Sequence, residues 1–121
     1  MKGAIRKGTN APANTVRIVT GRLGGKWLER LDYTPGEVLT ISAAPGLITY
    51  ERQENGIART LELVRFARAN KLWLIQVQTN GGQLFIKIPN SCFKRANISP
   101  EEPLFAIYEH GLLKLQKPEL S

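Results

Sequence analysis

The side chains of this chain that could do chemistry are overwhelmingly cations. Lys and Arg number 17 against 10 Asp and Glu in 121 residues, a net charge of +7. The remaining reactive inventory is one Cys and one His. Cys92 becomes a nucleophile only beside a basic partner, and its place on an apolar helix face reads as a small core residue. His110 falls in a turn before Gly111, where a lone His is ordinarily structural or solvated. No carboxylate pair, phosphate-cradling glycine loop, Ser-x-x-Lys or metal-ligand cluster appears. No catalytic residue, metal or cofactor is therefore expected. An enzyme built from this inventory would have to work with Arg and Lys and few general bases. Clustered cations instead form the usual electrostatic footprint of a polyanion-binding protein.

The cations are not spread evenly. Residues 1–30 carry a net +6, residues 31–58 a net −3, residues 59–95 a net +6 and residues 96–121 a net −2. A basic front and an acidic back occur twice. The same doubling is written in the residues themselves. Thr34-Pro35-Gly36-Glu37-Val38-Leu39 returns 65 positions later as Ser99-Pro100-Glu101-Glu102-Pro103-Leu104, and Gly46-Leu47 returns as Gly111-Leu112. The register runs without a gap from Thr34–Arg52 to Ser99–Lys117, with five identities in 19 positions. Unrelated sequence would give about one at average residue usage. Two copies of one small unit are expected to pack on each other, because a unit of about 40 residues rarely stands alone.

The elements that must position the cations follow from pattern. Residues 1–14 read as a flexible basic arm and residues 118–121 as a tail. The first unit spans 15–52: a strand at Thr15–Val19, a break at Gly24-Gly25, a short helix over Lys26–Leu31, then strands Val38–Ala43 and Leu47–Tyr50 about a Pro45-Gly46 turn. The second spans 72–117: a strand at Leu72–Val77, an Asn80-Gly81 hairpin suited to a type I′ turn, a strand at Leu84–Ile88, and a helix capped by Asn90 or Ser91. Its helix carries Cys92, Phe93 and Ala96 inward. Strands Leu104–Tyr108 and Leu112–Gln116 follow. The connector 53–71 fits a helix with a stripe of Ile57, Leu61, Val64 and Ala67, although Leu61 and Leu63 also fit a strand. The fold class is mostly β with short helices, α+β. No apolar run of about 18 residues and no secretory leader is present, so no membrane partner is expected and a cytoplasmic location is the default.

On these elements the candidate nucleic-acid-binding residues are Arg17, Arg22, Lys26 and Arg30 in the first unit and Lys87, Lys94 and Arg95 in the second. Arg30 and Arg95 stand in register. Arg59, Arg65 and Arg68 on the connector could extend the face. Lys and Arg contact phosphates without reading sequence, and Arg can also read guanine edges. Trp27 could stack on a base, but its apolar helix face favours core packing.

Ile86-Lys87-Ile88-Pro89, a helix, Ile98-Ser99-Pro100-Glu101-Glu102, a strand and Gly111-Leu112-Leu113-Lys114-Leu115 together resemble the AbrB/SpoVT swapped-hairpin pattern. Leu23-Gly24-Gly25-Lys26-Trp27-Leu28-Glu29, Leu31-Asp32-Tyr33-Thr34-Pro35-Gly36 and Gly46-Leu47-Ile48 resemble the SymE-like toxins of that superfamily. The resemblance covers about residues 15–52 and 72–117. It implies a pseudo-twofold barrel of interleaved hairpins, a bacterial toxin–antitoxin or regulatory setting, and DNA as a partner ahead of RNA. It implies either an intrachain pseudo-dimer or a homodimer. Two other functions stay open: a protein-interaction module such as an antitoxin or inhibitor, and an RNA-cleaving toxin.

Overall fold

A computed structural model describes residues 15–16, 18–19, 21–100, 102–109 and 111–118. The basic arm at 1–14, Arg17, His110 and the end of the tail therefore lie outside the described residues. The elements, in chain order, are β1 (Thr15–Val16), β2 (Arg22–Gly24), α1 (Trp27–Arg30), β3 (Val38–Ala44), β4 (Leu47–Arg52), α2 (Thr60–Ala69), β5 (Trp73–Gln76), β6 (Gln78–Asn80), β7 (Gln83–Lys87), α3 (Asn90–Ala96), β8 (Leu104–Glu109) and β9 (Leu112–Gln116). The chain is thus mostly β with short helices, as the patterning indicates.

Every strand pair is antiparallel. Six strands form one sheet in the order β1-β8-β9-β4-β3-β5, and three form a second in the order β2-β7-β6. The expected barrel is corrected here, because the two sheets do not close on each other. The break falls at Val77, between β5 and β6, whose N–H and C=O bond to the loop at Glu37 and Gly36 (2.9 and 2.8 Å) rather than to a strand. Only the hairpins β3–β4, β8–β9 and β6–β7 are local. β1 reaches forward to β8, β2 to β7 and β4 to β9.

Alternation places Leu39, Ile41, Ile48, Tyr50, Leu104, Ala106, Leu113 and Leu115 on one face of the large sheet, all buried. Leu23, Leu84 and Ile86 of the small sheet and Leu28, Cys92, Phe93 and Ala96 of α1 and α3 complete the same core. Burial at roughly 25 cal/mol per Å² of apolar surface is the main force holding these layers together.

Three local expectations are also corrected. The turn between β6 and β7 is Gly81-Gly82, both at positive φ (62° and 84°), with Asn80 paired to Gln83; a two-residue primed turn needs positive φ twice, and the glycine pair meets that need more easily than Asn-Gly. α3 has Pro89 at its N-cap and no side-chain cap, because Ser91 Oγ instead accepts from Trp73 Nε1 (3.1 Å). The stripe on α2 is rotated. Leu63 and Ala67 are buried, while Ile57 and Leu61 are 66% and 74% exposed. Gly56 fixes that rotation: it lies so close to Val38 that an added Cβ would sit 2.5 Å from the Val38 Cβ.

Candidate nucleic-acid interface

Strand alternation decides which cations meet. In β2, Leu23 turns into the core and Arg22 and Gly24 turn outward. In β7, Leu84 and Ile86 turn inward and Gln83 and Lys87 are exposed on the outer face, where the alternation also places Phe85, itself buried. Arg22 stands opposite Lys87 and Gly24 opposite Phe85, while Gln78 and Asn80 of β6 face Phe85 and Gln83. The outer face of the small sheet therefore carries two cations, three side-chain amides and one aromatic ring. Arg22 lies over that ring, its guanidinium carbon 4.6 Å from the Phe85 centroid. A guanidinium stacked on an aromatic face keeps its N–H edge free to donate while its plane is held still. Gly24 across from Phe85 leaves room for this arrangement.

A groove of about 410 Å³ runs along this face beside Val19, Arg22, Gly25, Asn80 and Gln83, and among the described residues no Asp or Glu lines it. Lys26 follows at the entry to α1, exposed. Gly25 can hold no other side chain easily: its φ is +132° and an added Cβ would strike the Trp27 ring at 2.8 Å. Trp27 is half-buried against the core and donates its Nε1–H to the Gly24 carbonyl (3.2 Å). It serves as the bracket of the Gly24-Gly25 bend.

The other sequence candidates fall elsewhere. Arg30 ends α1 and is exposed. Arg95, its counterpart in register, is tied down. Its guanidinium carbon lies 4.4 Å from the Trp73 centroid, and Nη1 donates to the Lys71 carbonyl (2.8 Å). It fastens α3 to the start of β5. Lys94 lines a separate cavity together with Lys117. Arg59 pairs with Glu62 at 3.2 Å on the exposed side of α2. Of the seven candidates, the small sheet unites Arg22 and Lys87, with Lys26 next along the chain. The residues that complete their face, Phe85, Gln83, Asn80 and Gln78, were readable only as the outward phase of the alternation in Gln83–Lys87.

Two ionisable side chains of the core, Cys92 and Tyr50, are withdrawn from solvent. Cys92 is fully buried in α3, and burial pushes its thiol up to about 11 against a smaller downward pull from Arg95. Burial likewise raises the Tyr50 hydroxyl well above its ordinary value. Among the described residues no three His, Cys, Asp or Glu side chains are grouped to hold a metal, and no helix is long and apolar enough to cross a membrane. No family model matches this chain, and neither does any curated protein or solved structure with which it was compared.

Proposed function

We propose that this chain is a small nucleic-acid-binding protein that grips double-stranded DNA through phosphate contacts from the outer face of the β2-β7-β6 sheet. The observation that carries the reading is the pairing of Arg22 with Lys87 across the two strands, with Arg22 also lining a groove that has no carboxylate among the described residues. Two cations side by side suit adjacent phosphates, the stacked guanidinium is pre-oriented, and the amides of Gln78, Asn80 and Gln83 add hydrogen bonds to phosphate or sugar. A cytoplasmic site of action belongs to the same reading.

The proposal includes an internal duplication of swapped-hairpin type, related to the AbrB-like and SymE-like proteins. Two registers support it. Thr49 pairs with Lys114 at the centre of the large sheet and Arg22 with Lys87 in the small one, and the members of both pairs are separated by the offset of the sequence repeat. The large sheet is palindromic if β1, β8 and β9 are equated with β5, β3 and β4. The backbone agrees, since Asp32 and Asn97 both take positive φ (64° and 57°). On this reading Arg22 and Lys87 flank a local twofold axis, which is where two equivalent cations fall closest.

The test is fluorescence anisotropy on a duplex of roughly 30 base pairs at about 50 and 200 mM salt, with a matched RNA alongside. Binding is expected to weaken steeply with salt. The double reversal Arg22→Glu/Lys87→Glu is expected to abolish most of it and to lower the salt slope by about 2, one for each lost phosphate. Binding that survives this reversal unchanged would refute the face. A second reading, a protein-interaction module, rests on the exposed Ile57, Leu61 and Phe66 around α2; it is favoured if neither nucleic acid binds at low salt.

A further inference from the structure

We infer that the cavity beside α3 is a binding site for a nucleoside phosphate, separate from the Arg22–Lys87 face. Its case rests on comparing two places in the molecule that share backbone geometry and differ in what fills them. In the first, Thr34 N–H donates to Glu37 Oε1 (3.1 Å), and Glu37 pairs with Arg52 at 2.5 Å. In the second, one repeat further along the chain, Ser99 N–H donates to Glu102 Oε1 (2.9 Å), and Glu102 pairs with Lys117 at 3.7 Å.

The first place is self-filled. Tyr33 is buried, the Arg52 guanidinium lies 4.6 Å from its ring centroid, and Tyr108 meets the same ring edge-on at 6.1 Å. In the second, Ile98 stands for Tyr33, Lys117 for Arg52 and Ala43 for Tyr108. The ring and the guanidinium are both missing, and a cavity of about 690 Å³ opens there. That volume is within the range of small-ligand sites.

The charge has changed in the same sense. Glu29 and Asp32 at the first place correspond to Lys94 and Asn97 at the second. Counting with Glu37 and Arg52, the first set carries −2; counting with Glu102 and Lys117, the second carries +1. Glu102 is already engaged by Ser99 and Lys117, so Lys94 is the cation left to meet an anion. The floor is apolar, from Phe93 and Ile98, and Asn90, Asn97 and Ser99 stand on the rim. An apolar floor, amides and a hydroxyl for a base edge, and Lys94 for a phosphate, with Lys117 beside it paired to Glu102, are the complement of one nucleotide. A bare anion would use only the cations, and a neutral ring only the floor.

The site is tested on the full chain by ¹H–¹⁵N correlation spectra during titration with adenosine monophosphate, with inorganic phosphate and adenosine as separate arms. The expected result is a Kd of about 1 mM or tighter for the nucleotide, with shifts concentrated at the amides of Lys94, Asn97, Ser99 and Lys117. Both partial ligands are expected to bind at least tenfold more weakly. Lys94→Glu, at an exposed position, is expected to weaken the nucleotide about tenfold, the loss of one charged hydrogen bond, and Arg22→Ala to leave it unchanged. No localised shift, equal binding of phosphate alone or adenosine alone, or an unaltered Lys94→Glu would each overturn the inference. Because the readout is the mononucleotide at α3, failure of duplex binding at the sheet face leaves this result standing, and the reverse holds.

Discussion

Replacing Arg52 by Ala is expected to cost several times more stability than replacing Lys117 by Ala, although the two occupy corresponding positions. Arg52 donates from Nε and Nη2 to both oxygens of Glu37, from Nη1 to the Leu31 carbonyl (2.9 Å) and Tyr108 Oη (3.0 Å), and from Nη2 also to the Asp32 carbonyl (2.7 Å). The side chains of Arg52 and Glu37 are 26% and 16% exposed. Burial opposes the charge on Arg52, but the bonds to Glu37 and Tyr108 outweigh it and raise its pKa. Removing one partner of a buried pair costs about 3–5 kcal/mol. Discounting for the solvent that still reaches this one gives roughly 2–4 kcal/mol, including the stranded Glu37 and the lost stacking on Tyr33. Lys117 makes one 3.7 Å contact at 37% exposure, which is worth under about 1 kcal/mol. Urea unfolding of the two variants measures the difference directly. Arg52→Lys is expected to fall between them, since one ammonium cannot reproduce the fork. Equal losses at positions 52 and 117, or a loss at 52 below about 1 kcal/mol, would refute the reasoning.

Tyr50 Oη is buried with no hydrogen-bond partner among the described residues, so Tyr50→Phe is expected to stabilise the protein by about 1 kcal/mol in the same assay. The raised pKa of Tyr50 has a linkage consequence. The unfolded phenol ionises near pH 10 and the folded one does not, so stability is fully present below about pH 10 and falls above it, and Tyr50→Phe is expected to flatten that fall in a pH series of melts. Cys92, with its thiol at about 11, is expected to resist alkylation by iodoacetamide at pH 8 in the native state and to react at the rate of a free thiol once urea unfolds the chain. Gly56→Ala is expected to cost about 1–3 kcal/mol, because the new methyl meets Val38 and the chain there must move or α2 must lift.

What can be read from sequence is whatever a short window contains. The β3–β4 hairpin follows from alternation broken at Pro45-Gly46, and the inward residues of α3 from the spacing of Cys92, Phe93 and Ala96. The repeat register equates the positive-φ positions Asp32 and Asn97 without revealing their backbone. Pairings between distant strands leave no such trace. Nothing in residues 15–16 announces β8, and the division into two sheets depends on Val77 bonding to the Glu37 loop. α2 deceives because Ile57, Leu61 and Val64 keep a helical period, while the contact of Gly56 with Val38 decides which side faces in. For the interface, Arg22 and Lys87 are legible as cations on strands, and their opposition is not. Arg95 reads as a free cation because Trp73 and Lys71, which occupy its guanidinium, lie outside its own helix.

The forward reach of the early strands has a consequence for how the chain is made. During synthesis the described part of the chain up to Lys71 can close the β3–β4 hairpin and the helices α1 and α2, while β1, β2, β3 and β4 each await a partner that lies beyond that point. β4 acquires its second neighbour only when β9 emerges. Until then the hairpin that carries Ile48 and Tyr50 has one bare edge, along β4. β9 is therefore a checkpoint: a nascent chain paused before Leu112 presents the unpaired edge of β4 to any other strand, and the arrival of β9 is what covers it.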